Sequence, residues 1–317
     1  MSLTDFKILD YNKVLKSYDL IKSYIFRTAI VSNKKINQLL NAEIFFKMEN
    51  QQITLSFKAR GAFNAILSYQ EKNGFLPKKI VVQSSGNHAQ AVAYVAKNLG
   101  LEVLVYMASN VSPFKIDKVK ELGAKVVICQ ERSEANKLAQ EKQSEGYFFI
   151  HPSDNDEVIL GQATCALEIF DQVQDLSAIF APCGGGGLLA GCYLSALAKS
   201  PKTKVFGCEP EMANDAFLSL KNNKIYSFTT SPNTIADGAR TLAVSNRCFN
   251  YLKKITEILE ISEEKIKFWQ EFLSNNLGEA IEPTSALTIA GIEKYLQQNP
   301  QESGKKYCAI ITGGNLY

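Results

Sequence analysis

The chain has no long apolar run and no strong excess of charge. No stretch approaches the ~18 apolar residues that a membrane helix needs, and the first residues lack the basic and apolar regions of a secretory signal. The 317 residues carry 35 basic and 32 acidic side chains, so the formal net charge is only +3. A surplus this small argues against the clustered basic face of a nucleic-acid-binding protein. We therefore expect a cytoplasmic protein that binds neither membranes nor nucleic acids.

Paired cysteines are also missing. The seven cysteines are odd in number, widely spaced and without a C-x-x-C pair, which argues against a disulfide framework or a structural zinc site. Most stand inside apolar runs, where a thiol behaves as a small hydrophobic side chain. We expect buried thiols in a reducing compartment. They are Cys129, Cys165, Cys183, Cys192, Cys208, Cys248 and Cys308.

Short apolar runs alternate with longer helical patterns along most of the chain. This alternation predicts βα units on parallel sheets. The predicted strands are 44–48, 79–83, 103–107, 125–128, 147–150, 178–181, 204–208 and 307–311.

A polar segment at 151–157 (HPSDNDE) interrupts this rhythm. It is a natural place for the chain to cross between two lobes. We predict an α/β fold of two doubly wound lobes with the active site in the cleft between them. Residues 1–77 and 154–317 would form a large domain, and residues 78–153 a small mobile domain.

Four consecutive glycines, Gly184 to Gly187, follow a predicted strand and precede a predicted helix. Adjacent N–H groups without side chains can turn toward one point, and a helix N-terminus adds positive potential. The loop lacks the Lys-Ser/Thr of a P-loop and the spacing of a dinucleotide fingerprint. It therefore predicts a cradle for one terminal phosphate. The alternative is a tightly packed turn, and a nucleotide-binding loop is disfavoured.

Two further segments place polar side chains at loop-to-helix junctions. Lys58 stands in Ser-Phe-Lys-Ala-Arg-Gly between small and apolar neighbours. A desolvated amine there can form a Schiff base with a carbonyl group; an ordinary surface lysine is the alternative. The segment Ser-Ser-Gly-Asn-His at 84–88 clusters hydroxyl and N–H groups at a helix start, which favours a carboxylate. His151, the other histidine, is expected to be structural.

A weaker candidate runs from Glu209 to Asp215, just after a predicted strand. Two carboxylates with a backbone carbonyl between them are ligands that a hard divalent cation accepts. Taken alone, the pattern favours a solvated acidic loop over a metal site.

Together, these segments resemble one family. Their order resembles that of the fold-type-II pyridoxal-phosphate enzymes, whose fold is tryptophan-synthase-β-like, and in particular the serine/threonine dehydratase and serine racemase group. The resemblance extends from Arg27 to Asn315 and rests on the segments 56–62, 84–90, 184–187, 236–238 and 312–315.

The resemblance implies a pyridoxal 5'-phosphate cofactor and a role for each matching residue. Lys58 is implied to form the Schiff base, and Ser85 to stand on the opposite face of the cofactor as a second catalytic residue. Asn87 is implied to reach the cofactor's 3-hydroxyl, and Thr312 its pyridine nitrogen. The implied phosphate cradle comprises Gly184, Gly185, Gly186, Gly187 and the N–H group of Leu188. The implied ligands of the substrate carboxylate are Ser84, Ser85, Asn87 and His88.

The implied activity is β-elimination from serine, threonine or threo-3-hydroxyaspartate to a 2-oxo acid and ammonia, with serine racemisation if Ser85 returns a proton. Glu209, Ala213 and Asp215 match the Mg²⁺ or Ca²⁺ site of the racemases, which favours the metal interpretation. The resemblance also implies a homodimer acting on a small amino acid. A β-replacement enzyme of the cysteine synthase type and a catalytically silent cofactor-binding protein are the alternatives.

Several residues depart from the family pattern. Leu55 and Ala29 stand where a glycine and a proline are usual, and Ala89 matches the dehydratases rather than the racemases. Arg132 would serve as the substrate-facing arginine only if its helix shifted by a residue or two. Gly278 replaces an ATP-contacting lysine, so activation by ATP is not expected.

Overall fold

The computed structural model describes residues 8–84, 86–109 and 111–316. Within these ranges the chain forms ten strands in two sheets and twelve α-helices. The strands are β1 (Ile30–Val31), β2 (Glu43–Met48), β3 (Lys79–Gln83), β4 (Glu102–Ala108), β5 (Lys125–Cys129), β6 (Phe148–Phe149), β7 (Ala178–Pro182), β8 (Lys204–Pro210), β9 (Glu257–Ile261) and β10 (Lys306–Ile311). The helices are α1 (Tyr11–Ile21), α2 (Lys34–Leu40), α3 (Lys58–Asn73), α4 (Asn87–Leu99), α5 (Pro113–Glu121), α6 (Arg132–Ser144), α7 (Asp156–Gln172), α8 (Gly187–Lys199), α9 (Asp215–Lys221), α10 (Asn246–Leu252), α11 (Glu263–Leu277) and α12 (Pro283–Gln298).

The large sheet has the strand order β1-β2-β10-β7-β8-β9. Its strands run parallel except for the edge strand β1, which pairs antiparallel with β2. All five residues of β7 are buried, as expected for a parallel strand covered on both faces. One face packs against α11 and α12 around Trp269 and Leu287. The other packs against α7, α8 and α10 around Leu189 and Phe249.

The small sheet is wholly parallel, in the order β5-β4-β3-β6. Strand β3 shows the period of two: Ile80 and Val82 join the core with α3 and α4, whereas Val81 joins the core with α6. Both sheets are therefore enclosed by helices, which confirms the predicted α/β class with two doubly wound lobes. This sheet lies within the range predicted as the small domain; the exact domain boundaries and the mobility stay predictions.

The segment at 151–157 leads from β6 of the small sheet into α7 of the large lobe. Asn155 ends it by capping α7, since its Oδ1 accepts a hydrogen bond from the Val158 N–H at 3.1 Å. All eight predicted strands are present within two residues of their expected bounds. No helix in the described ranges is both long and apolar enough to cross a bilayer. The seven cysteines are all free and buried, which confirms that they pack as core residues.

Candidate active site

A cavity of about 1990 Å³ lies between the two lobes. It is lined by residues that follow β3, β4, β7 and β10, as expected where the carboxyl ends of parallel strands meet. Ser85 falls outside the described residues. The predicted site residues that line the cavity are Lys58, Ser84, Asn87, His88, Gly184, Gly185, Gly186, Gly187, Leu188 and Thr312.

Lys58 is the first residue of α3, and its amine faces the cavity. Its Nζ lies 3.5 Å from the carbonyl oxygen of Pro152 and 4.8 Å from the centre of the Phe57 ring. Burial lowers the pKa of the Lys58 amine to about 8; Cys248 opposes this shift and Arg132 adds to it. Part of the amine is therefore unprotonated near neutral pH, as a nucleophile or a general base requires.

The tetraglycine loop connects β7 to α8. Gly186, the N-cap of α8, has a φ of +89°, which favours glycine. A Cβ at Gly185 would lie 2.2 Å from the Ser153 hydroxyl oxygen, and one at Gly184 would lie 2.8 Å from the Gly238 carbonyl oxygen. Side chains at Gly184 and Gly185 would therefore not fit.

The inner side of this loop carries unused donors. No described residue accepts a hydrogen bond from the backbone N–H groups of Gly184 to Leu188. These groups stand at the positive end of the 13-residue helix α8, beside the cavity. Free N–H groups at a helix N-terminus fit a phosphate group, as the sequence predicts.

Thr312 follows β10 and is buried. Its Oγ1 lies 3.2 Å from the hydroxyl oxygen of Ser285, and its carbonyl oxygen accepts a hydrogen bond from the Phe57 N–H at 3.1 Å. The second contact joins the end of β10 to the residue before Lys58. The hydroxyl of Thr312 is neutral, so it would not force a pyridine nitrogen to stay protonated.

Asn87 contacts a carboxylate that the sequence analysis missed. Its Nδ2 lies 2.9 Å from both carboxylate oxygens of Glu282, and its Oδ1 accepts a hydrogen bond from Asn315 Nδ2 at 2.8 Å. The backbone N–H of Asn315 also donates to Glu282 Oε1 at 2.9 Å. Burial raises the pKa of the Glu282 carboxyl to about 7, although the Asn87 hydrogen bond lowers it.

Glu282 was identifiable only in part from the sequence. An acidic residue before Pro283 is typical of a helix N-terminus, and it follows the apolar Ile281. That pattern predicts a helix start, not contact with Asn87, which is 195 residues away in the chain. A Cβ at Gly313 would lie 2.6 Å from Glu282 Oε2, so this glycine leaves room for the carboxylate.

His88 is buried at the start of α4, and its Nε2 lies 2.9 Å from the Ile150 carbonyl oxygen. Burial lowers the pKa of this imidazole to about 3, so the ring is neutral. A carbonyl partner requires the proton on Nε2, which leaves Nδ1 as an acceptor with no partner among the described residues. A neutral acceptor does not bind a carboxylate, so the predicted substrate contact of His88 is restricted to its backbone N–H.

His151 packs as expected of a structural residue. Its Nδ1 accepts hydrogen bonds from the backbone N–H groups of Ser153 at 3.2 Å and Asp154 at 2.7 Å. Burial lowers its pKa to about 4. The ring thereby shapes the turn that carries Pro152 and Ser153, which contact Lys58 and the tetraglycine loop.

The two carboxylates of the predicted metal site come together in a buried position outside the cavity wall. Glu209 accepts hydrogen bonds from the backbone N–H groups of Ala216 and Phe217 at 3.1 and 2.9 Å. Asp215 Oδ1 accepts one from the Thr241 hydroxyl at 3.3 Å, and Asp215 Oδ2 has no partner in the described part of the chain.

Burial and the neighbouring Asp215 raise the pKa of Glu209, and burial raises that of Asp215 to about 7. No group of three or more His, Cys, Asp or Glu side chains that could hold a metal ion is present among the described residues. The predicted third ligand is the carbonyl of Ala213, which is not a side chain. An unpaired oxygen beside a second carboxylate fits a divalent cation.

Polar contacts also join the two lobes across the mouth of the cavity. Lys115 of α5 forms an ion pair with Asp237. Arg132, the first residue of α6, donates a hydrogen bond from Nη1 to the Arg240 carbonyl oxygen at 2.7 Å and lines the cavity. The position of α6 thus places Arg132 at the cleft. The sequence did not single out Arg240.

The chain is similar to known proteins over nearly its whole length. A family model of pyridoxal-phosphate-dependent enzymes matches residues 21–313. The serine racemase of Dictyostelium discoideum is 38% identical over 307 residues, which cover 96% of this chain and 94% of that protein. The L-threo-3-hydroxyaspartate ammonia-lyase of Saccharomyces cerevisiae is 35% identical over 309 residues, 96% of this chain and 93% of that protein. The crystal structure of the Dictyostelium serine racemase matches with a TM-score of 0.90 and 35% identity, covering 98% of this chain and 100% of that one.

Proposed function

The chain belongs to the family of pyridoxal-phosphate-dependent enzymes, and we propose that it converts a small hydroxy amino acid to a 2-oxo acid and ammonia by β-elimination. The names of its relatives support this reaction, since they include serine racemases, threo-3-hydroxyaspartate ammonia-lyases and a threonine ammonia-lyase. One observation carries the proposal: the Lys58 amine and the tetraglycine loop contact the adjacent residues Pro152 and Ser153 in one cleft.

The described residues fit the cofactor. Lys58 would hold it covalently at Nζ, and the N–H groups of Gly184 to Leu188 would bind its phosphate. Asn87 and Thr312 would contact the ring at its 3-oxygen and its nitrogen. Bound there, pyridoxal phosphate supplies an electron sink for the negative charge left when a proton is removed from the substrate's α-carbon.

The start of α4 supplies the proposed substrate site. The helix is 13 residues long and has no side-chain cap at Gly86, so its N-terminal N–H groups favour an anion. The Ser84 hydroxyl stands beside this turn and would add a donor to the substrate carboxylate. With a pKa of about 8, the Lys58 amine is poised to take the α-proton as a general base.

Racemisation is the second part of the proposal. Ser85 would exchange a proton on the face opposite Lys58, and Ser85→Ala is therefore expected to suppress racemisation while elimination from L-serine continues. Both products are measured in one reaction, by the chirality of the remaining serine and by the 2-oxo acid. Equal loss of the two activities would contradict the role of Ser85.

We also propose a Mg²⁺ or Ca²⁺ ion at Glu209, Asp215 and the Ala213 carbonyl. The unpaired Asp215 Oδ2 supports it. Adding either ion after EDTA treatment is expected to raise the midpoint of thermal unfolding, because the ion binds only the folded site. Asp215→Asn should abolish this rise, whereas Glu211→Gln, an exposed change in the same turn, should retain it. No rise in the unaltered protein would contradict the site.

The main test measures 2-oxo acid from serine, threonine and threo-3-hydroxyaspartate in both chiralities. Lys58→Ala is expected to abolish both the yellow colour of the bound cofactor and turnover. Lys72→Ala, an exposed lysine of the same helix, should retain both. Product formation by Lys58→Ala would overturn the assignment. Cysteine formed from O-acetylserine and sulfide, with no 2-oxo acid, would favour the β-replacement alternative.

The proposed enzyme is a cytoplasmic homodimer. A reducing cytoplasm would keep its seven thiols free, as they are in the structure. Light scattering of the purified protein is expected to give twice the chain mass of 35.1 kDa. A mass equal to one chain would contradict the dimer.

A further inference from the structure

A closed network of buried charges lies under the first turn of α3. Arg60, two residues after Lys58, is completely buried. Its Nε and Nη2 donate to the two carboxylate oxygens of Glu49, both at 2.8 Å. Its Nη1 and Nη2 donate to the two oxygens of Glu168, again at 2.8 Å, and Nη1 also lies 3.2 Å from the Thr164 hydroxyl oxygen. All five N–H groups of the guanidinium therefore have acceptors.

Lys47 completes the network. Its Nζ lies 2.6 Å from Glu168 Oε2, 2.9 Å from the Thr28 carbonyl oxygen and 2.9 Å from Gln172 Oε1. Three acceptors match the three protons of the ammonium group. Two cations thus face two carboxylates, with exposures of 0 to 1% for all four side chains. The assembly is electrically neutral and needs no further ligand.

Stability alone is a poor explanation for such a network. The free energy lost when charged groups leave water is about as large as the free energy gained when they pair. Apolar side chains of similar volume therefore often stabilise a fold equally well. The distinctive property of the network is geometric. Through Arg60 it joins the first turn of α3 to the turn at Glu49, which follows β2, and to α7 at Glu168.

The first turn of α3 has few other polar attachments. Its N-cap residue, Phe57, makes no side-chain capping bond. The Phe57 N–H donates to the Thr312 carbonyl oxygen at 3.1 Å, and the Lys58 amine has only the 3.5 Å contact to Pro152 among its described hydrogen bonds. The bidentate contacts of Arg60 are therefore the strongest polar anchor of the turn that carries Lys58.

We propose that Arg60 is a positioning residue for the reaction: held by Glu49 and Glu168, it fixes the first turn of α3 and so holds the Lys58 amine in its desolvated place in the cleft. The inference rests on the proposed function, in which Lys58 carries the cofactor. The titratable or charged groups that face the Lys58 amine are His88, His151, Arg132 and Cys248. None of them belongs to the network, so an effect of Arg60 must act through position.

The experiment follows imine formation between the full-length protein and pyridoxal phosphate, by visible absorption, across a range of pH. Arg60→Lys keeps one charge but cannot bridge two carboxylates with a planar fork. If the turn loosens and water raises the pKa of Lys58 by about one unit, the free amine at pH 8 falls from about a half to about a tenth. Imine formation at that pH should slow about fivefold, and the pH profile should move in the alkaline direction.

Two further variants make the test decisive. Thr164→Val removes one acceptor of Arg60 without changing charge or volume much, and should shift the profile in the same direction by less. Ile266→Val trims a buried residue of α11 remote from the network and serves as a control for general destabilisation. It should lower thermal stability and leave the profile unchanged.

The proposal is overturned by an unchanged profile in folded Arg60→Lys or, if that variant does not fold, in Thr164→Val. It is also overturned if Ile266→Val shifts the profile as far at an equal loss of thermal stability. Failure of the proposed function would look different. In that case the unaltered protein would form no imine, or Lys58→Ala would still form one.

Discussion

Replacing Glu282 by glutamine separates the charge of this carboxylate from its shape. Glu282 lies at the start of α12, is 4% exposed and has no cation within ion-pair distance among the described residues. It is held by N–H groups of Asn87 and Asn315. Glutamine keeps one acceptor oxygen and nearly the same volume but cannot ionise. The pH dependence of stability should therefore differ between the two proteins.

The magnitude follows from the pKa of the carboxyl, which burial raises from 4.5 to about 7 in the folded protein. A raised pKa means that the folded state binds the proton more tightly. The resulting stability is fully present below the unfolded pKa and is lost as pH rises to the folded pKa. Since one pKa unit corresponds to 1.36 kcal/mol, the loss across this window is about 3 kcal/mol.

The assay is urea unfolding followed by the fluorescence of Trp269, the single tryptophan, which is completely buried against α12. Glu282→Gln should be the less stable protein at low pH, because it loses an acceptor oxygen. This difference should shrink or reverse between about pH 5 and pH 8, by about 3 kcal/mol in total. Glu71→Gln, an exposed carboxylate on α3, is the control. Parallel curves of unfolding free energy against pH for the unaltered protein and Glu282→Gln would refute the reasoning.

Three other substitutions test single features of the site. Gly185→Ala places a Cβ 2.2 Å from the Ser153 hydroxyl oxygen and should weaken pyridoxal phosphate binding at least about tenfold. Combining it with Ser153→Gly should restore part of the affinity. Equal affinity of Gly185→Ala and the unaltered protein in equilibrium dialysis would contradict the proposed cradle. Arg132→Gln should raise KM for threo-3-hydroxyaspartate about tenfold more than KM for serine, because only the former carries a second carboxylate that Arg132 could bind. Equal changes in the two KM values would exclude a contact between Arg132 and that carboxylate. Leu55 has a φ of +53° and stands where the family usually has glycine. Leu55→Gly should stabilise the protein by about 0.5 kcal/mol in urea unfolding, because relief of the strained left-handed backbone outweighs the greater unfolded-state entropy of glycine. A loss of stability would contradict backbone strain at Leu55.

Much of the site could be predicted because its residues follow predicted strands. Ser84 comes directly after β3, Gly184 after β7 and Thr312 after β10. Those strands stand out in the sequence as short apolar runs, which are local and readable. Strands β7 and β10 are parallel neighbours in the large sheet, so their carboxyl ends lie along the same edge. The proximity of Gly184 and Thr312 therefore follows from local patterns and topology, whereas Ser84 follows a strand of the small sheet and reaches them only because the two lobes face each other across the cleft.

Other parts of the site were not readable, because contacts between distant segments define them. The pairing of Glu282 with Asn87 and the packing of Ser153 against Gly185 join elements from different lobes. Ser153 belongs to a polar break that the sequence marked only as a crossing point. Helices α1, α2 and α9 to α12 were also missed, since their burial depends on the sheet they cover rather than on a strong pattern of their own.

Buried carboxylates show most clearly what the structure adds. Glu49 and Glu168 are neutralised within the chain by Arg60 and Lys47, so they need no ligand. Glu282 is held by N–H groups without a paired cation among the described residues, and burial raises its pKa although these hydrogen bonds lower it. The pair formed by Glu209 and Asp215 has N–H and O–H donors but keeps one unpaired oxygen.

These three situations call for different chemistry, although the side chains are of the same type. A neutralised pair fixes backbone geometry, and here it fixes the turn that carries Lys58. A carboxylate held only by dipoles is expected to respond to pH, as predicted above for Glu282. The pair with an oxygen to spare is the one for which we propose a cation. The count of donors and charges around each carboxylate, which only the fold supplies, therefore separates a structural role from a binding role.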